Sequence, residues 1–194
     1  QGMVYVIYEK KEKIDSFNVG SQVGCAVWID YDHLLAASYD GIYLIDVDTG
    51  KMEYQGNILP SKKLRYNDGT LDSKGRFLVG TTGYKCESNG TGFLYAFENG
   101  NERILVKDVS ISNGIAFSKD NRYMYYIDTP TRKIGRYRYS LDNGTVEFDK
   151  YIWYNRNREK NKRKDNKVIE NNDISSENNI KKYETSSANI LEDS

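Results

Sequence analysis

Residues 65–83 read "RYNDGTLDSKGRFLVGTTG", a short apolar strand whose mouth carries Arg65, Asn67 and Asp68. A guanidinium, an amide and a carboxylate thus crowd the start of a core strand. The stretch recurs: "NDGTLDSKGRFLVG" (67–80) lies over "NGIAFSKDNRYMYY" (113–126), with Asn on Asn and Arg76 on Arg122. A weaker third copy, "GCAVWIDYDHLLAA", runs from 24 to 37 and sets Gly24 in the register of Asn67 and Asn113. Recurrence at about 40 to 50 residues is the mark of a propeller or similar repeat array. Each copy is followed by a second apolar stretch closed by a glycine turn, "GIYLIDVDTG" (41–50), "GFLYAFENG" (92–100) and "IGRYRYSLDNG" (134–144). The unit is therefore a pair of hairpins, four strands in all.

Composition narrows what such units serve. The chain has 194 residues, 29% of them charged, with a formal net charge of zero, which argues against a nucleic-acid partner. No apolar run approaches the about 18 residues a membrane span needs, and no basic-then-apolar leader opens the sequence, so no membrane partner is expected. Cys25 and Cys86 are the only cysteines and stand in no metal-ligand or disulfide spacing, which points to a reducing, cytoplasmic setting. Asn89 and Asn143 each begin "NGT", which fits a glycosylation acceptor but better fits the Asn-Gly pair of a tight hairpin turn. The single histidine, His33, sits in a "DYDH" turn, which leaves no material for a His-based triad or zinc site.

Along the chain the text divides in two. Residues 1–150 alternate short Val, Ile, Leu, Tyr and Phe-rich strands with Asp-Gly, Asn-Gly and Thr-Gly turns, the pattern of an all-β repeat fold with almost no support for helix. Residues 151–194 are rich in Asn, Lys, Glu and Ser, and a segment so poor in core formers is expected to be disordered. Its basic stretch "RNREKNKRKDNK" (156–167) reads as a solvated linker, since the acidic residues that follow nearly cancel its charge. The opening on Gln1, just before the strand-like "MVYVIY" (3–8), reads as the start of a piece of a longer chain.

Two of these stretches carry a family resemblance. "RYNDGTLDSKGRFLVGT" resembles the R-F-N-D-G-K-x-D-x-x-G-R-F-W-A-G-T signature of the SMP-30/gluconolactonase/regucalcin family, which includes the luciferin-regenerating enzymes. "ISNGIAFSKDNRYMYYIDTPTRKIGRYRYSLDNG" (111–144) resembles the family's second signature, and "VGCAVWIDYDHLLAASYDGIYLIDVDTG" fits the blade before them. The resemblance covers roughly residues 17 to 150 and implies an all-β, six-bladed β-propeller with one divalent metal at the top of its channel. Six blades need about 270 residues, so this chain is expected to hold about three, as a partial propeller over 1–150.

The resemblance also assigns roles. The residue matching Asn113 ligates the metal, Ca²⁺ or Zn²⁺ first among the candidates, while Arg65 and Asn67 match substrate-binding positions for a sugar lactone. Asn side chains offer the hard neutral oxygens such ions accept, and Arg65 offers fixed donors. Asp68 is expected to brace its loop, Asp128 to close a blade by hydrogen bonding, and Thr82 is a lesser candidate for the channel wall. The family's metal site also draws a Glu from an L-G-E-[GS]-P-V-W motif and an Asp from a P-D-G motif. Neither motif is present, and the lysine expected after "NDG" is Thr70. The general base is therefore unassigned. The implied activity is metal-dependent hydrolysis of a sugar lactone, with this chain weakly active or inactive. A calcium-binding regulatory protein and a non-catalytic propeller scaffold are the alternatives.

Overall fold

The computed structural model describes residues 2–8, 13–87 and 89–152. The tail expected from 151 onward, with its basic stretch, lies outside the described residues apart from Tyr151 and Ile152. The fold opens with a ribbon of two antiparallel strands, β1 (Met3–Tyr8) and β2 (Lys13–Asn18). Three four-stranded antiparallel meanders follow in chain order. The first is β3 (Val23–Trp28), β4 (His33–Ser38), β5 (Gly41–Asp46) and β6 (Met52–Gly56). The second is β7 (Leu64–Leu71), β8 (Phe77–Gly83), β9 (Gly92–Glu98) and β10 (Asn101–Val109). The third is β11 (Ser112–Phe117), β12 (Tyr123–Asp128), β13 (Lys133–Ser140) and β14 (Thr145–Ile152). A single 3-10 turn at Thr129–Thr131 is the only helical element among the described residues.

The apolar runs of the second strands explain the stacking. Successive side chains of a strand point to opposite faces, so a strand buried on both faces reads as continuously apolar. In β4, "HLLAAS", Leu34 and Ala36 face the ribbon's Val4, Val6 and Phe17, while Leu35 and Ala37 face Tyr66, Phe77 and Val79 of the second sheet. In β8 the same alternation sends Phe77 and Val79 one way and Leu78 the other, onto Met124, Tyr126 and Tyr139 of the third sheet. The sheets therefore pack face against face through three apolar layers. Truncating a side chain such as the fully buried Ile42 to Ala would cost about 2–5 kcal/mol.

Local turn chemistry closes the hairpins as the sequence foretells. Asn99 and Gly100 join β9 to β10 with φ of +52° and +76°, the left-handed pair that a two-residue hairpin needs. Asn143-Gly144 also turns the chain at a positive-φ glycine, in line with the turn reading, whereas Asn89-Gly90, with Gly90 at φ +66°, forms a bend inside the longer loop between β8 and β9 rather than a tight hairpin turn. The repeated arginines take different fates. Arg76 is 4% exposed and bonds Asp72 and Tyr139, whereas Arg122 is exposed and pairs only with Asp120 in its own turn.

The first strands of the three sheets, β3, β7 and β11, run side by side. Gly24 lies so close to β7 that a Cβ there would stand 2.5 Å from the Tyr66 carbonyl carbon. Between β7 and β11 the contact is a hydrogen bond from the Asn67 side chain to Ser112. Thr82 and Ile111 add a backbone bridge between the second and third sheets.

Candidate functional site

Each of the three first strands is irregular at the same register. Pairing skips from Val23 to Cys25 in β3, from Tyr66 to Gly69 in β7 and from Asn113 to Ile115 in β11. A bulge inserts one unpaired residue, bends the strand and re-aims its side chains. Aligned on the bulge, Gly69, Ile115 and Cys25 correspond, so the residue matching Asn67 and Asn113 is Val23. Gly24 instead matches Asp68 and Gly114, one place along from the register expected from sequence. The expectation that the first sheet offers no side-chain ligand at that place is unchanged, since Val23 has no polar side-chain atom.

Arg65 and Asn67 stand two apart on β7, on the same face, and meet directly. Arg65 Nη1 donates to Asn67 Oδ1 at 3.0 Å and to the Tyr66 carbonyl at 3.0 Å, and Nη2 reaches Cys86 Sγ at 2.7 Å. Asn67 Nδ2 donates in turn to the Ser112 carbonyl at 2.7 Å. Both ends of the Asn67 amide are thus engaged, one by its own strand and one by β11. Ser112 is itself fully buried, accepts the Tyr126 hydroxyl at 2.8 Å, and occupies the notch that Gly80 leaves: a Cβ on Gly80 would stand 1.7 Å from Ser112 Oγ. Asn113 follows Ser112 in an exposed position. Its Nδ2 donates to Thr129 Oγ1 at 3.2 Å, and no described residue donates to its Oδ1.

The neighbouring polar residues play supporting parts. Asp68 Oδ1 accepts its neighbour's Gly69 N–H at 2.9 Å, the local bracing expected of it. Asp128 accepts from the backbone N–H groups of Ser110 and Ile111 at 3.1 and 2.8 Å, closing the third sheet against the second. Thr82 is fully buried and donates to the Ser110 carbonyl at 2.9 Å, so it ties the two sheets and lines no open surface. A cleft of about 710 Å³ at the head of β3 is walled by Val23, Gln22 and the edge-to-face rings of Tyr39 and Tyr84, whose centroids are 5.2 Å apart.

Cys86, Ser112 and Thr129 escaped the sequence reading. Ser112 lies inside the quoted second signature, next to Asn113, and its position was the one available signal. Cys86 carries none, because it meets Arg65 across 21 residues of loop and strand.

A divalent cation finds little to hold here. Among the described residues no three His, Cys, Asp or Glu side chains cluster where they could bind a metal. Asn67 Oδ1 already accepts from Arg65, whereas no described residue donates to Asn113 Oδ1, which leaves that oxygen open to a cation. One neutral oxygen does not make a calcium site, whose affinity follows its count of carboxylates.

The family model described as the SMP-30/Gluconolactonase/LRE-like region matches residues 1–174. The chain belongs to this family. A Sulfolobus acidocaldarius protein is 37% identical over 115 residues, covering 58% of this chain and 41% of that protein. The 6-deoxy-6-sulfogluconolactonase of Pseudomonas putida is 30% identical over 142 residues, covering 73% of this chain and 48% of that enzyme. Among solved structures, regucalcin of Agrobacterium tumefaciens, a calcium-binding protein, matches with a TM-score of 0.69 at 26% identity, over 78% of this chain and 51% of its own. The chain spans about half, or less, of the length of these relatives. Its all-β architecture of four-stranded sheets agrees with that of its structural neighbour.

Proposed function

We propose that this chain is the substrate-orienting part of a sugar lactone hydrolase built as a six-bladed β-propeller, with three of the blades supplied by the three four-stranded sheets. The observation that carries the reading is the tie from Arg65 through Asn67 to Ser112, which fixes a guanidinium and an amide beside Asn113 at the head of adjacent strands. Donors held in place before a ligand arrives lose little freedom on binding, and a guanidinium suits the oxygen-rich face of a lactone or its acid product. Arg65 and Asn67 are the residues we assign to substrate. Asn113 Oδ1 is the one oxygen we assign to a divalent cation, Ca²⁺ or Zn²⁺.

Hydrolysis needs more than orientation. A water must be deprotonated as it attacks the lactone carbonyl, and a general base must lie within reach of it. Neither the Glu motif nor the Asp motif of the family's site is present in the sequence, so we assign no general base and expect this chain on its own to turn over a lactone slowly or not at all. Its two free cysteines suit a reducing, cytoplasmic compartment.

Calorimetry with D-gluconate, beside a hydrolysis assay on D-glucono-1,5-lactone with added Ca²⁺ or Zn²⁺, tests the reading. Weak gluconate binding that falls about tenfold in Arg65→Ala and in Asn67→Ala supports it. Binding indifferent to both changes overturns the substrate assignment. Turnover well above the uncatalysed rate, lost in Asn113→Ala, overturns the claim that the chain lacks a catalytic base.

A further inference from the structure

Resting on the assignment of Arg65 to substrate, we propose that Cys86 is the positioning residue of that arginine, a neutral sulfur that orients the guanidinium without neutralising it. Arg65 makes no ion pair among the described residues, although Glu87 lies one residue beyond Cys86. The Glu87 carboxylate is turned back into its own loop, where Oε2 accepts the Lys85 N–H at 3.1 Å. The partner that meets Nη2 is instead the Cys86 sulfur, at 2.7 Å. The other amino group, Nη1, is held by Asn67 Oδ1 and the Tyr66 carbonyl. Each Nη therefore has a neutral partner on a different segment, and the planar group has a single orientation.

The loop is shaped to deliver this sulfur. The turn after β8 is closed by the Cys86 N–H donating to the Gly83 carbonyl at 2.8 Å, and Cys86 takes φ of +60°, a region that L residues other than Asn and Asp seldom occupy. A carboxylate at this place would hold Arg65 as firmly, through a charge-assisted pair, but would spend the positive charge that an oxygen-rich or anionic ligand needs. A thiol is a weak acceptor that leaves the charge available. The consequence is a specific pattern across substitutions at one position. Orientation and charge are separable there.

Three variants separate them. In Cys86→Ser the hydroxyl still accepts from Nη2, and gluconate affinity stays within about twofold. In Cys86→Ala the acceptor is gone, and affinity falls about tenfold, as in Arg65→Ala. In Cys86→Asp the guanidinium stays fixed yet is neutralised, and affinity falls as well. The orientation is read without ligand from the ¹⁵N-labelled Arg65 guanidinium by NMR. Slow rotation is expected in the natural chain, Cys86→Ser and Cys86→Asp, and fast rotation in Cys86→Ala. Cys86 is exposed, so each variant is expected to fold. Unchanged guanidinium resonances in Cys86→Ala overturn the proposal, and so does unchanged gluconate affinity in Cys86→Ala when Arg65→Ala weakens it about tenfold. Should Arg65→Ala leave gluconate binding intact, the substrate assignment fails on its own, and the rotation measurement alone decides the positioning role: loss of slow rotation in Cys86→Ala upholds it.

Discussion

The Asn67 amide donates to the Ser112 carbonyl at 2.7 Å and accepts from Arg65 Nη1 at 3.0 Å, so one side chain spans from its own strand to the next sheet. Its orientation is the only one that serves both partners, with oxygen toward the guanidinium and nitrogen toward the carbonyl. A carboxylate cannot reproduce it, because the group facing Ser112 would no longer carry a hydrogen. Asn67→Ala loses both bonds and is expected to destabilise the chain by about 1–3 kcal/mol, whereas Asn67→Asp sets two acceptors face to face at Ser112 but gains a charge-assisted pair with Arg65, so its loss is expected to be smaller. Urea unfolding of the three proteins measures the order. Equal stability of the Ala variant and the natural chain would show that the link to β11 carries no weight.

Gly24 is held to glycine by its neighbour's backbone. A methyl group there would stand 2.5 Å from the Tyr66 carbonyl carbon and 2.9 Å from the Asn67 nitrogen, and backbone in a paired strand cannot yield as a side chain would. Gly24→Ala should therefore force β3 and β7 apart, costing about 1–3 kcal/mol, and should also disturb Arg65 and Asn67. Unfolding midpoints and the Asn67 amide resonances report the two effects. A stable Ala variant with unmoved Asn67 resonances would mean the first strands are farther apart than described.

The sequence was most legible where one residue acts through its own backbone or its own face. The Asn99-Gly100 turn follows from a dipeptide, and the burial of both faces of β4 follows from "LLAA". Arg65 and Asn67 are brought to one site by the family signature, and their spacing two apart on β7 agrees, since alternate residues share a strand face. What resisted reading depends on partners far along the chain. The bulges shift the apparent repeat by one residue, so Gly24 aligns by letter with Asn67 but by pairing with Asp68. Arg76 and Arg122 occupy one repeat position, yet only Arg76 has Tyr139 of the next sheet above it and so becomes buried. Cys86 looks like any loop residue until the fold sets it on Arg65.

Asp72, Arg76 and Tyr139 form a buried polar knot between the second and third sheets. Arg76 Nη1 reaches Asp72 Oδ2 at 2.5 Å, the Tyr139 hydroxyl donates to the same oxygen at 2.6 Å, and the two charged side chains are 0% and 5% exposed for Asp72 and Arg76. Removing one member strands the other charge, so Arg76→Met is expected to cost about 3–5 kcal/mol. Asp72→Asn combined with Arg76→Met should cost less than the sum of the single changes, because no buried charge remains. A double-mutant cycle by urea unfolding gives the coupling. Additive losses would show that the pair is hydrated and acts as an ordinary surface ion pair.

Alkaline pH should loosen the packed sheets before it affects the exposed turns. Burial, reinforced by the charge of Asp68, pushes the Cys25 thiol from 9.0 up to about 12, and burial, with Glu102, pushes the Tyr95 phenol from 10.0 up to about 12. Both groups hold their protons more tightly in the folded chain than in the unfolded one. Above the unfolded values the folded state therefore binds more protons, and stability falls with rising pH. The Cys25 contribution is complete below pH 9.0 and drains away as pH climbs toward about 12, with Tyr95 joining from 10.0. Tyr66, Tyr126 and Tyr139 are raised by burial in the same direction and steepen the fall at higher pH. Urea midpoints measured at intervals from about pH 7.5 to about pH 11 should be level at first and then decline. Cys25→Val removes the earliest titrating group, so its midpoint should hold level for about one further pH unit before the tyrosines take over. A natural chain whose midpoint stays level to about pH 11 would show that water reaches these groups in the folded state.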